Sequence, residues 1–371
     1  MMQVTAITTC DDLTVLRPEW EALAGAASEA GPFLSWAWAH AWLRQAREAK
    51  PCVLALRAET GELRAVVPLA DRAQTLRFAA ADRSIYLGIL ARSSDLVEAA
   101  RGLAAWLRDS RDWQQVALSS LPAEQLRPLQ QALQEARIAH RWERDKPSYV
   151  LRLPESAAAF AARLTESFGK RLAYYRRRLE REFDVEYRIC IPSEDPEAVA
   201  EFLRLHLLRM RQARRKSRFE ESEFANFARQ ALSEMEGAAS VRLLRCGGRA
   251  AAALAGISWG DTFYFWNSGL DPDFAHYNVG DVIQRFTIES AIACGARQFD
   301  FLWGGEDYKL RWGAQRRDTY RLEAERSRLC LAARGAARTA LRATGRAAAA
   351  ASRGLRRSRR VSLSSSSKGG R

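Results

Sequence analysis

Apolar residues follow a helical period along much of this chain. The window 157–182 lines up Leu164, Phe168, Leu172, Tyr175 and Leu179, the three-to-four-residue spacing of a helix that buries one face. Its opposite face is basic, with Lys170, Arg171, Arg176, Arg177 and Arg181. Similar spacing predicts helices over 195–213, 221–235 and Val279–Cys294, the last stopped by Gly295. Nearer the N-terminus it predicts a helix from Asp11 or Asp12 through Trp20 and Leu23, and another over Pro32–Leu43 with Phe33, Trp38 and Trp42 in its apolar set. Helices over 95–108 and 123–137 complete this half.

Extended segments alternate with these helices. Cys52–Leu69 reads as a hairpin turned at Thr60-Gly61, and Val241–Ile257 as a hairpin turned at Gly247-Gly248. Ser84–Leu90, Gln115–Ser119, Asp184–Ile191, Asp261–Gly269 and Ala296–Leu302 read as further strands. The fold class is mixed α/β. The hairpins echo one another: Leu-Ala-Leu-Arg57, Gly61 and Leu69-Ala70 against Leu-Leu-Arg245, Gly248 and Leu254-Ala255. Each follows helices in its half, which predicts one α/β unit duplicated over 1–150 and 151–325.

Residues 326–371 depart from that plan. Arg334, Arg338, Arg342 and Arg346 recur every four residues among alanines, and Ser362–Arg371 is of low complexity. The formal net charge is +14, yet this tail holds thirteen Lys or Arg and no Asp or Glu, so the body is near neutral. The basic character therefore concerns the tail and not the core. Six cysteines are scattered singly, with no metal-ligand spacing, so no metal is expected. Scattered cysteines behind a start lacking a signal peptide predict a reducing cytoplasm.

The candidate chemistry gathers between 262 and 313. Tyr277-Asn-Val-Gly-Asp281 stands between a strand and a helix. Gly280 in the first turn lets a ligand approach the backbone, whose N–H groups suit a pyrophosphate. The same spacing fits a capping box, with Asn278 as cap and Asp281 three residues on. Asn267 and Ser268 end an aromatic strand where the sheet can splay, leaving backbone donors for an acyl carbonyl. Asp300 points away from Phe299 and Phe301. It is either a buried ion-pair partner, with Arg311 as candidate, or a site acid or base. After Gly304-Gly305 come Glu306, which can deprotonate an amine or hydroxyl, then Tyr308, Lys309 and Arg311, whose cations can neutralise an anion. This reads either as an exposed polar loop or, between Trp303 and Trp312, as a packed functional one. Of the four histidines only His276 lies beside the glycine turn. No HExxH, GxSxG or Walker lysine occurs.

Ser167–Glu180, the Ala250–Gly269 segment, and Tyr277–Gly280 with Phe299–Gly313 together resemble the GNAT-superfamily acyltransferases of the CelD-like branch. That branch is associated with cellulose and exopolysaccharide synthesis and is related to FemABX-type aminoacyl transferases. The resemblance covers about 155–315. It implies tandem GNAT-like domains, each a central mixed sheet flanked by helices. It also implies transfer of an acyl group from acyl-CoA to an amino or hydroxyl acceptor, a small molecule or a saccharide. By position, Gly280 with Asn278 and Val279 matches the carrier-binding turn. Asp300, Glu306, Tyr308 and Lys309 match the closing motif. The sequence departs from the pattern at Asn278-Val279, where Ser-Pro is usual, and lacks the longer glycine loop of simple GNAT enzymes. Arg171, Arg177 and Arg311 are the expected substrate-side cations. Two rivals stand beside this reading. One is an aminoacyl transferase using charged tRNA, with the basic tail on RNA. The other is a non-catalytic scaffold of polysaccharide assembly whose tail touches anionic lipid at the inner membrane.

Overall fold

The structure is a computed structural model that describes residues 2–27, 30–304, 306–333 and 336, with Glu306 described in its backbone alone. The arginine stripe at Arg334, Arg338, Arg342 and Arg346, and the segment Ser362–Arg371, lie outside the described residues.

The first half runs β1 (Gln3–Ile7), α1 (Cys10–Ala26), α2 (Trp36–Gln45), β2 (Lys50–Arg57), β3 (Leu63–Arg72), β4 (Thr75–Phe78), β5 (Leu90–Ala91), α3 (Leu96–Asp109), β6 (Gln115–Leu121), α4 (Ala123–Glu135) and β7 (Ala139–Arg144). The second runs β8 (Ser148–Arg152), α5 (Ala157–Arg163), α6 (Glu166–Glu182), β9 (Val185–Cys190), α7 (Pro196–Gln212), α8 (Ser222–Glu234), β10 (Ala239–Cys246), β11 (Arg249–Trp259), β12 (Thr262–Leu270), α9 (Val279–Ala293), β13 (Gln298–Asp300), α10 (Glu306–Arg311) and β14 (Gln315–Arg317). The strand β15 (Tyr320–Glu325) follows.

The two sheets share one plan. The first has the order β1-β2-β3-β4-β6-β15-β7, with β5 beside β3, and the second β9-β10-β11-β12-β13-β8-β14. In each, an antiparallel run of four strands meets a fifth in parallel, β4 with β6 and β12 with β13. A helix, α3 or α9, supplies each crossover, as parallel pairing requires. The sixth place is filled in the second sheet by β8, the first strand of that half, and in the first sheet by β15, which arrives from beyond the second half. β8 pairs with β13 and β14, while β15 pairs with β6 and β7. The chain therefore weaves its halves together, and the echo between the hairpins reflects a shared topology.

The local reading holds for most elements. Gly61, Gly247 and Gly248 take the positive φ that tight hairpin turns require. Two elements differ. The helix expected over 157–182 is broken at Leu164-Thr165 into α5 and α6. The break brings Phe160 and Phe168 onto one partner, with ring centroids 6.3 and 4.9 Å from that of Trp312. In an unbroken helix these residues would lie about 12 Å apart along the axis. The segment Ser84–Leu90 is not a strand either. Tyr86 is left-handed at φ 58°, and only Leu90–Ala91 pairs, with β3.

The larger core joins the first sheet to α1, α2, α7, α8 and one face of the second sheet. Trp38 sits at this seam, edge-on to Phe227 at 4.9 Å and to Trp266 at 5.4 Å. The smaller core lies on the other face, under α5, α6, α9 and the segment around Trp312. Alternation along β12 divides the two, with Phe263 and Phe265 in the smaller core and Tyr264 and Trp266 against the larger.

Candidate functional site

β12 and β13 are joined only over Thr262–Tyr264 and Gln298–Asp300. Beyond that point β12 runs on alone to Leu270, so its β13 side has no strand partner there. A register shift between Ala255 and Gly256 leaves Trp266 as an extra residue in β12, just before Asn267. Such a bulge turns a strand out of its ladder. The parting foreseen from Asn267 and Ser268 is therefore present.

A cavity of about 700 Å³ opens beside the parted strand. Its walls come from the end of α7 (Arg209, Gln212, Ala213), from β11 and β12 (Leu254, Phe265, Ser268, Leu270), and from the turn Asp271, Pro272 and Ala275. Asn278, Val279, Gly280, Asp281, Ile283 and Gln284 at the start of α9, and Tyr308 of α10, complete it. α7 reaches this wall because Gly269 has no side chain. A Cβ there would lie 2.3 Å from the His206 nitrogen and 2.6 Å from the Leu205 carbonyl carbon.

The first turn of α9 is not a capping box. Asn278 sits in the left-handed region (φ 52°) and its side chain accepts no backbone N–H. Its Nδ2 instead donates to the Asp281 carboxylate at 2.7 Å. The Asn278 carbonyl accepts from Asp281 and Val282. Among the described residues, the N–H groups of Val279 and Gly280 have no carbonyl partner. Two such donors at a helix start, beside the cavity, are of the kind that can hold an anion. Arg171 reaches Asp281 at 3.9 Å and stacks over Phe168 at 5.1 Å. Arg311 lies over the same ring at 5.6 Å. Arg177 is exposed on α6, and no described contact brings it to the cavity.

The closing motif divides. Its residues form the short helix α10 and not a loop. Tyr308 lines the cavity; burial, with a smaller push from Asp281 and an opposing pull from Arg209, moves its hydroxyl up to about 12. Lys309 is buried and donates to the carbonyls of Leu302 and Trp303, each at 2.8 Å. It fastens the turn behind the cavity. Asp300 is fully buried and pairs not with Arg311 but with the Tyr86 hydroxyl at 2.7 Å and the Leu302 N–H at 2.7 Å. Ser148 hydrogen-bonds the same tyrosine. Burial moves the Asp300 carboxyl up to about 6 against the pull of these hydrogen bonds. The side chain of Glu306 lies outside the described residues.

Two neighbours of the site, Arg209 and His206, were not singled out as site residues from sequence. Arg209 reads there as one member of a charge run; its guanidinium donates to Ser268 Oγ at 2.9 Å. His206 meets the Ser268 carbonyl through Nδ1 at 3.0 Å, and burial holds its pKa down. Asn267 turns its Oδ1 to the Ser268 N–H at 2.8 Å and is not among the cavity residues. His276 is not among them either. In sequence, only the helical phase of α7 placed Arg209 and His206 on nearby turns.

The corresponding place in the first half is closed. β4 and β6 also pair over only two positions, Thr75–Leu76 with Gln115–Val116. The chain then threads its own segment past that gap, with Leu87 N–H on the Ser120 carbonyl and Ile85, Leu87 and Ile89 buried.

The acetyltransferase (GNAT) domain family matches residues 166–310, a span that contains the parted strands, the start of α9 and most of α10. Fold and match together support an acyltransferase with a GNAT domain over 166–310. FemX is similar over 89% of this chain and 98% of its own, at 11% identity and a TM-score of 0.64. The C-terminal domain of a putative lysylphosphatidylglycerol synthetase from Agrobacterium fabrum is similar over 84% and 92%, at 10% identity and a TM-score of 0.57. L-PGS from Bacillus licheniformis is similar over 85% and 92%, at 14% identity and a TM-score of 0.54. At such identities the likeness concerns the fold alone. No curated protein matches the chain. Among the described residues no helix is long and apolar enough to cross a membrane.

Proposed function

We propose that this protein transfers an acyl group, acetyl in the simplest case, from acyl-CoA to an amino or hydroxyl acceptor. The acceptor is a small molecule or a saccharide, such as an exopolysaccharide precursor, as in the CelD-like branch. The observation that carries this reading is the meeting of three features in one cavity: the parted end of β12, the unpaired N–H groups of Val279 and Gly280, and the hydroxyl of Tyr308.

Each feature takes a role. The N–H groups at the start of α9 hold the donor's pyrophosphate, with Arg171 beside them. The backbone donors of β12 near Asn267 hold the acyl oxygen as charge develops there, an effect worth ~3 kcal/mol per donor. As the acceptor's nitrogen or oxygen bonds the acyl carbon, the carbon–sulfur bond breaks. Tyr308 stays protonated at neutral pH and gives its proton to the departing thiolate. We assign the acceptor's proton to Glu306, two residues before Tyr308. Asp300 and Lys309 hold the turn that presents α10.

A second reading, aminoacyl transfer from charged tRNA, is favoured by the carboxylates of Asp271 and Asp281 in the cavity wall. Such groups suit the ammonium of an aminoacyl donor. Thermal shift with acetyl-CoA, longer acyl-CoAs and charged tRNA separates the two. A donor at one hundred times its Kd stabilises by ~2.7 kcal/mol. The first reading expects acyl-CoA to raise Tm and charged tRNA to leave it unmoved. The reverse result replaces it with the second, and silence from all donors removes both.

A further inference from the structure

Arg209 carries a charge that the cavity does not neutralise. Its guanidinium lies at the end of α7, half-buried in the cavity wall, and its one hydrogen bond among the described residues goes to Ser268 Oγ at 2.9 Å. No carboxylate forms an ion pair with it among the described residues. The carboxylates that share the wall are engaged elsewhere, Asp281 by Asn278 and Arg171, and Asp271 by Arg249 at 2.9 Å. A planar fork with one of five donors used, drawn partly out of water, is built for a bidentate anion. Burial also lowers its pKa, the mark of a cation short of compensation.

A second polar group lining the same cavity is uncompensated. Gln284 follows Gly280 by one turn of α9, is 5% exposed, and its Nε2 has no hydrogen-bond partner. A buried amide left unpaired costs stability that a ligand's oxygen can restore once the side chain turns to it.

We propose that the cavity binds a carboxylate on Arg209, with Gln284 as its second donor, and that this carboxylate belongs to the acyl group being transferred or to the acceptor. The proposal rests on the acyltransfer reading and narrows its substrates to acidic ones. The donor's own phosphates have a separate seat at the N–H groups of Val279 and Gly280, on another wall. Arg209 stands instead at the parted strand, on the hydroxyl of Ser268 and near Tyr308, where the reacting ends meet.

The test compares matched probes on the full chain by calorimetry. One arm sets succinyl-CoA against acetyl-CoA. The other sets β-alanine against propylamine, with and without acetyl-CoA. Wild-type protein is expected to bind the carboxylate member of one pair at least tenfold more tightly, and Arg209→Gln is expected to erase that preference. The responding arm tells whether acyl group or acceptor carries the carboxylate. Arg209→Met adds a readout on the free protein: an uncompensated cation predicts an unchanged or higher Tm, whereas a purely structural arginine predicts a lower one. Equal affinities within both pairs, or a preference that survives Arg209→Gln, overturn the proposal. If neither acyl-CoA binds, the donor reading fails by itself, and the amine pair measured without donor still decides the role of Arg209.

Discussion

At the scale of single residues, burial divides the closing motif into a side chain that lines the cavity and side chains that hold the turn behind it. Tyr308 faces the cavity with its hydroxyl held near 12, so it remains a proton donor across the neutral range. Tyr308→Phe removes only that proton. Acyl transfer is expected to slow by about 10²-fold or more with the unfolding midpoint unchanged, the usual scale of general acid catalysis. A matched loss of stability would instead make the tyrosine a packing residue. Asp300 differs in kind, because its carboxyl is fully buried with a folded-state pKa of about 6. An unfolded aspartate titrates near 3.9. Between about pH 4 and 6 the folded chain therefore holds a proton that the unfolded chain has released, and stability falls as pH rises through that window, by on the order of 3 kcal/mol in all. Asp300→Asn keeps the shape and cannot ionise. Urea unfolding at pH 4.5 and 7.5 is expected to show the wild-type loss diminished in the variant. An identical pH slope in both would mean that Asp300 is already ionised at pH 4.5.

Among the elements, the decisive contact is the crossing of α7 over β12. Leu205 and His206 lie directly on Gly269, closer than any side chain allows. That approach carries Arg209 to the cavity and His206 to Ser268. Gly269→Ala must push two backbones apart, since the clashing atoms belong to the α7 main chain. It is expected to cost about 1–3 kcal/mol in chemical unfolding, with a loss of acyl transfer beyond what the unfolded fraction explains. Retention of full stability would refute so tight a crossing. Gly280 is different in kind. A Cβ there meets only the end of Leu270 at 3.3 Å, so its smallness concerns the approach of ligand and not the fold. Hydrophobic period was enough to place α7, β12 and α9. The interruption at Leu164-Thr165 was hidden, because Phe160 and Phe168 converge on Trp312, more than 140 positions away.

For the whole molecule, the return of β15 to the first sheet matters most. The first half lacks one strand of its own sheet, and β15 supplies it from beyond the second half. Leu322 and Ala324 of β15 are fully buried in the first sheet, and Arg141 pairs with Glu323 across it. A chain ending at Arg317 loses that strand and exposes the facing edges of β6 and β7. It is expected to be aggregation-prone and to lack a cooperative transition by circular dichroism, while a chain ending at Ala333 melts as the full chain does. Independent folding of residues 1–147 would contradict the coupling. The two halves are joined by backbone ladders, so one calorimetric transition is expected for both.

Periodicity by itself determined the succession of helices and hairpins, the mixed α/β class and the doubling of one plan. These are local properties, written in spacings of two and three-to-four residues that any chain segment carries with it. Tertiary structure decided the rest. It turned Tyr308 to the cavity, sent Lys309 and Asp300 to hold the turn behind it, and brought Arg209 in from a charge run some sixty residues before β12 ends. It also decided which strand completes which sheet. Burial and hydrogen-bond partnership depend on groups far away in the chain, so no spacing along the sequence records them.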